Sequence, residues 1–134
     1  MKRRTPLKKI LVLLASSFLF ASLVSCNPRE NTYRQVSSVE AMQMMAEESG
    51  YIILDVRRPD EFALGHIPNA INVPNESIST APIPELPDKN QRIFVYCRSG
   101  RRSKEASEKL VALGYTNIVE FGGILDWTGD IVTE

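Results

Sequence analysis

Cys97 is the residue of this chain best placed to do chemistry. It ends the run Arg92-Ile93-Phe94-Val95-Tyr96. Arg98-Ser99-Gly100-Arg101-Arg102 follows, and a helical pattern begins at Ser103. The order strand, loop, helix sets the thiol where backbone N–H groups converge at a helix N-terminus. Arg98, Arg101 and Arg102 add three guanidinium groups that cannot be deprotonated. Both features favour thiolate over thiol, and the thiolate is the nucleophile. The stretch therefore predicts a nucleophilic cysteine over an anion-binding cradle.

The elements that must hold this loop are legible around it. Ser37-Ser38-Val39-Glu40 fits a capping box, and Val39, Met42, Met45 and Ala46 recur at helical spacing. This predicts a helix over 38–48 with a methionine-containing core stripe, ended by Gly50. Tyr33 to Val36 reads as a short strand, and Tyr51 to Val56 as a buried parallel one. Pro59 opens a short helix, Gly65 to Ala70 is a turn, and Ile71 to Val73 is a short strand. Four prolines make residues 74–90 mostly loop. Arg92 to Tyr96 is the next strand, Ser103 to Leu113 a helix stopped by Gly114, and Asn117 to Phe121 the last strand. Gly122-Gly123 reads as a turn into a final helical turn around Leu125 and Trp127, with Trp127 in the core. Strands alternating with helices imply an α/β fold with a central parallel sheet. In such sheets ligands sit at the carboxyl ends of strands, where Cys97, Asp55 and Arg57 all fall.

Residues 1–25 have a different character. Lys2, Arg3, Arg4, Lys8 and Lys9 precede an apolar stretch, Ile10 to Val24. Its length is short of the roughly 20 residues a membrane span needs, and it reads as a signal peptide. The stretch closes on Leu23-Val24-Ser25-Cys26, which resembles a bacterial lipobox with Cys26 as the lipidated residue. The expected organisation is a signal peptide over 1–25, a tether over 26–32 and a folded domain over 33–134. Five of the 16 basic residues and none of the 16 acidic ones lie in residues 1–25, so the remainder carries a net −5. An acidic exported domain is a poor nucleic-acid binder. With Cys26 lipidated, Cys97 is the one remaining thiol, and no intramolecular disulfide or resolving cysteine is available. A single histidine rules out a histidine-based zinc cluster, so no metal or other cofactor is expected.

Four segments together resemble the single-domain rhodanese family. They are Ile53-Leu54-Asp55-Val56-Arg57; Glu61-Phe62 with Gly65-His66-Ile67-Pro68-Asn69-Ala70; Val95-Tyr96-Cys97-Arg98-Ser99-Gly100-Arg101-Arg102-Ser103; and Gly122-Gly123-Ile124-Leu125-Asp126-Trp127. The resemblance implies a rhodanese-like α/β fold with the active loop between a strand end and a helix N-terminus. It also implies a sulfurtransferase in which the thiolate, here Cys97, takes a sulfane sulfur as a persulfide and passes it to a nucleophile. Thiosulfate and cyanide are the usual assay pair, and thiols of small molecules or proteins are common acceptors. The loop carries over as Arg98, Ser99, Gly100, Arg101 and Arg102, whose amides would cradle the outer sulfur. The residues support the same chemistry, since a persulfide's terminal sulfur and thiosulfate are both anionic and call for N–H donors and positive charge. Gly100 is expected to let the loop close without a Cβ clash. Asp55 and Arg57 are expected to buttress the active loop. His66 is expected to organise its turn by bonding main chain or a carboxylate such as Glu61.

Three other readings stand beside this one. Phosphatases of the same fold use a cysteine-x5-arginine loop, but Ser103 occupies that arginine position here and Tyr96 precedes the cysteine. Arsenate reduction on related scaffolds usually uses further thiols. A membrane-tethered sulfur carrier or binding module without turnover is the third. The apolar leader and Cys26 together predict a domain on the extracytoplasmic side of a bacterial membrane, held there by a lipid anchor.

Overall fold

The computed structural model describes residues 32–133. The signal-peptide reading of 1–25, Cys26 and all but the last tether residue lie outside the described residues. Five strands, β1 (Arg34–Gln35), β2 (Ile52–Asp55), β3 (Ile71–Asn72), β4 (Ile93–Cys97) and β5 (Ile118–Gly123), form one sheet in the order β1-β5-β4-β2-β3. Every pairing is parallel. Three helices join them: α1 (Ser38–Glu47), α2 (Pro59–Ala63) and α3 (Arg101–Ala112). Short 3-10 turns at Asn75–Ser77 and Ile124–Asp126 complete the regular structure of the described residues.

The period-2 alternation of β4 makes two cores. Ile93, Val95 and Cys97 face one side with Leu54, Val56, Ala106 and Leu110. Phe94 and Tyr96 face the other with Ala41, Ile67, Val119 and Phe121. All five residues of β4 are buried, which is why its sequence reads as an unbroken apolar run. On β5 the same alternation sends Ile118 to the first core and Val119 and Phe121 to the second. It leaves Glu120, 2% exposed, opposite Val95 on the Cys97 side.

Three features differ from the sequence expectation. The inner face of α1 is carried by buried Ser38 and Ala41, with Met44 and Met45 flanking, whereas Val39 is 57% exposed. The small residues let the helix sit close to β5, where the Ser38 hydroxyl donates to the Phe121 carbonyl at 3.4 Å. Ser37 caps the helix by accepting from Glu40 N–H at 3.1 Å, but the Glu40 carboxylate goes to Arg34 and leaves the capping box half made. Secondly, α3 begins at Arg101, two residues before Ser103, because Gly100 serves as its N-cap in a left-handed conformation at φ 107°. Gly100 is thus required for its backbone angle, since an added Cβ would meet nothing closer than 3.5 Å. Thirdly, Gly122-Gly123 is not a turn. The register Val95↔Glu120 and Cys97↔Gly123 puts one extra residue in β5, a bulge beside the thiol. A Cβ on Gly123 would lie 2.0 Å from the Arg98 carbonyl oxygen, so the bulge allows two backbones to touch where the Cys97 loop begins. Trp127 is partly buried against the second core.

Candidate active site

The Cys97 thiol sits at the carboxyl end of β4 with 1% of the residue exposed. The loop after it doubles back so that Gly100 N–H donates to Sγ at 3.0 Å. Ser103, on the third position of α3 and fully buried, brings its Oγ to 3.6 Å from Sγ. Burial pushes the thiol's pKa up, but hydrogen bonding with the Ser103 hydroxyl and from the backbone N–H groups of Ser103, Gly100 and Ser99 outweighs it. The net result lies below the ordinary cysteine value. A helix N-terminus and its preceding loop therefore acidify the thiol, as the strand–loop–helix order implies.

The arginines behave differently from the sequence expectation. Arg102 is clamped by Glu61 in a bidentate pair, Nη1 to Oε2 at 2.7 Å and Nη2 to Oε1 at 2.9 Å. The Arg102 hydrogen bonds, together with the Arg58 backbone N–H, hold the Glu61 carboxyl at about 2 against the opposing effect of burial. Arg101 pairs with Glu105 at 2.8 Å and stays exposed. Among the described residues Arg98 has no ion-pair partner. None of the three ranks among the main causes of the Cys97 shift, which are burial and hydrogen bonds. They instead line the mouth, a cleft of about 450 Å³ shared with Arg58, Glu61, Glu76, Cys97 and Ser99. The position suits an anion entering from solvent, with Arg98 outside any ion pair among the described residues and Arg101 exposed.

The supporting residues divide. Glu61 belongs to the cleft. Asp55 and Arg57 form a buried ion pair, Nη2 to Oδ2 at 2.7 Å, and the same Nη2 donates to the Gly65 carbonyl at 2.7 Å. Asn72 Nδ2 donates to the carbonyls of both, each at 2.9 Å. The pair thus bolts the end of β2 to the turn after α2 and, among the described residues, makes no hydrogen bond or ion pair with the Cys97 loop. Its reach to the loop is indirect, through α2 and the Glu61–Arg102 clamp, and Arg57 lines a neighbouring depression with Glu61 and Arg98. His66 is buried away from the cleft. Its Nδ1 lies 2.9 Å from the Phe62 carbonyl, and its ring stacks on Phe62 at 3.7 Å. The bonding partner is main chain and not Glu61.

Two residues of this site escaped the sequence reading as functional candidates, Ser103 and Glu120. Ser103 Oγ lies 2.6 Å from Glu120 Oε1, and Gly122 N–H donates to the same oxygen at 2.8 Å. The available signal was a single carboxylate inside the strand pattern Ile118-Val119-Glu120-Phe121, at a position whose neighbours two residues away are apolar or glycine.

The parallel sheet with one acidified thiol held by the amides of a strand–loop–helix turn defines a class of α/β domain built for thiolate chemistry. The family model for the rhodanese-like domain matches residues 37–130, and the chain belongs to that family. It is 38% identical over 73 residues to the thiosulfate sulfurtransferase PspE of Escherichia coli, covering 54% of this chain and 70% of that one. It is 34% identical over 94 residues to a sulfurtransferase of Allochromatium vinosum, covering 69% and 86%. Against an adenylyltransferase and sulfurtransferase of Candida albicans the match takes in 84% of this chain but 27% of that longer protein, at 33% identity. Among solved structures, a rhodanese with anions from E. coli aligns at TM-score 0.58 and 34% identity over 63% of this chain and 99% of that one. A rhodanese-related protein from Thermoplasma volcanium aligns at TM-score 0.64 and 30% identity over 76% and 100%.

Proposed function

We propose that this protein is an active sulfurtransferase that moves sulfane sulfur through a persulfide on Cys97, from thiosulfate or a similar anion to a thiol or cyanide. The observation that carries the reading is the buried Sγ bonded by Gly100 N–H at 3.0 Å within a loop of converging amides. In the first half-reaction the Cys97 thiolate attacks the outer sulfur of thiosulfate. The donor's S–S bond breaks, and sulfite leaves with the electron pair. The persulfide's terminal sulfur then carries the negative charge toward the amides and the cleft-lining arginines, which stabilise it without a metal. In the second, the acceptor attacks that terminal sulfur, and the electron pair of the persulfide bond returns to Sγ. The Glu61 clamp argues against phosphoryl transfer, because it holds Arg102, the loop's last arginine, on a carboxylate.

The purified protein should form thiocyanate from thiosulfate and cyanide, and should gain the mass of one sulfur on Cys97 after thiosulfate alone. Cys97→Ser should abolish both. Phosphate-ester hydrolysis without cyanolysis would overturn the reading. Sulfur loading without turnover would favour the tethered carrier.

The same reading places the domain outside the cytoplasm, exported by residues 1–25 and lipid-attached at Cys26. The support is the basic start, the short apolar stretch and Leu23-Val24-Ser25-Cys26. Each buried acyl methylene contributes ~0.8 kcal/mol, so two or three chains anchor firmly. Wild-type protein should fractionate with membranes and gain lipid mass, whereas Cys26→Ala should not. Equal behaviour of the two inside the cell would refute the anchor.

A further inference from the structure

Glu120 is a carboxylate in the floor of the site, 2% exposed. Burying an ionised carboxylate costs several kcal/mol unless it is paired. Among the described residues no Lys, Arg or His forms an ion pair with it. Its Oε1 has instead the Gly122 N–H at 2.8 Å and the Ser103 hydroxyl at 2.6 Å, the separation typical of a hydroxyl donating to a carboxylate. The Ser103 oxygen in turn lies 3.6 Å from Cys97 Sγ, where the thiol donates to it. Sγ, Oγ and Oε1 thus form a continuous hydrogen-bonded chain beneath the sulfur, on the side away from the cleft. A structural role for Ser103 alone would be met by the Gly100 carbonyl at 3.0 Å or the Gly122 carbonyl at 3.2 Å. Its closest partner is the acid.

We propose that Glu120 is a positioning residue that stores the Cys97 proton through Ser103, an inference that rests on the thiolate chemistry proposed above. On ionisation the S–H bond breaks as its proton passes to Ser103 Oγ, and the original Ser103 proton passes to Glu120 Oε1. Two bonds to hydrogen break and two form, with no net change of charge. The negative charge moves from Glu120 to Sγ, next to the loop amides. When an acceptor thiol takes the sulfane sulfur from the persulfide, the electron pair returns to Sγ and the stored proton can follow it. The charged groups facing this trio across the sulfur are Arg98, Arg101 and Arg102 from the loop and α3, Arg58 and Glu61 from α2, and Glu76 from the turn after β3. From the sheet, β1 sets Gln35 and β4 sets Val95 beside Glu120, and neither titrates.

The test is the alkylation rate of Cys97 by iodoacetamide across pH, read on the Cys97 peptide of the purified full chain. Two groups sharing one proton titrate in two steps, so wild type should show a reactive plateau on the acid side and a second rise above it. Glu120→Gln, which has no second site for the proton, should show one step with no intermediate plateau, whereas Ser103→Ala, which cuts the path between the two groups, should lose at least about tenfold in rate on the acid side. As a second measurement on wild type, difference infrared spectroscopy should show a protonated carboxyl band when Cys97 ionises. This remains decisive even where a variant fails to fold. A single-step wild-type profile, a Gln variant that keeps both steps, or no new carboxyl band would overturn the relay. Thiocyanate formation measured alongside separates the two claims. Turnover with a single-step profile overturns the relay alone, and a two-step profile without turnover overturns the sulfurtransferase reading alone.

Discussion

The carboxyl ends of β2 and β4 lie side by side in one sheet and carry opposite kinds of buried polar group. At β2, Asp55 and Arg57 neutralise one another, and the remaining capacity of the pair goes to the Gly65 carbonyl and the Arg57 N–H. At β4, Cys97 and the carboxylate behind it are served by hydroxyl and amide donors, with no cation in contact with that carboxylate among the described residues. The first corner is closed, with each charge held by its opposite. The second is held by dipoles, with no fixed opposite charge beside its carboxylate among the described residues. One sheet thus holds two buried acids, Asp55 on β2 and Glu120 on β5 with β4 between them, and gives one a fixed cation and the other only hydroxyl and amide donors. Arg57 cannot give up its proton, and its pKa is raised further by Asp55 against the lowering effect of burial.

The largest expected effect falls on the closed corner. Asp55→Ala leaves the Arg57 guanidinium buried and uncompensated, and should destabilise the domain by roughly 3–5 kcal/mol in urea titration. A loss below about 1 kcal/mol would show that the corner is not the bolt described, because that is the range of an exposed pair. A smaller effect is expected at the clamp between the corners. Glu61 is depressed from 4.5 to about 2, so its contribution to stability is present above about 4.5 and lost as pH falls toward 2. With partial exposure the contribution is on the order of 1–2 kcal/mol. The stability gap between wild type and Glu61→Gln should therefore close over that window, and a gap independent of pH would remove the clamp's electrostatic role. The smallest effects belong to the mouth. Arg98→Ala and Arg101→Ala should each raise the KM for thiosulfate by a few-fold, roughly 1 kcal/mol or less, and less at high salt. Neither should move the Cys97 alkylation midpoints. A shift as large as that from Ser103→Ala would transfer the acidifying role from dipoles to the arginines.

The order of elements was legible because it depends on local pattern. Val95-Tyr96-Cys97 is apolar on both faces, as a doubly covered strand must be, and glycines at 50, 100 and 114 punctuate the elements at positive φ. Met45 of the stripe expected on α1 packs against the core but Val39 faces out, because helical spacing alone does not say which edge of the stripe meets the sheet. Ser38 and Ala41 won that contact by being small. Gly122-Gly123 read as a turn because glycine pairs usually mark one, whereas the requirement came from another strand, through the Arg98 carbonyl.

By itself the sequence determined an α/β chain with a single cysteine at a strand end, a glycine at the mouth of the following helix and arginines around both. Those properties follow from residue type and from neighbours within one turn or one strand. Tertiary structure decided which charges are spent and which remain in play. Arg102 meets Glu61 across 41 residues of chain, and Ser103 meets Glu120 across 17. Both contacts arise only when the sheet order β5-β4-β2 and the docking of α3 bring distant strands to one edge. Hydrogen bonds reach about 3 Å, so a side chain's partner is set by where the backbone carries it rather than by its place in the chain.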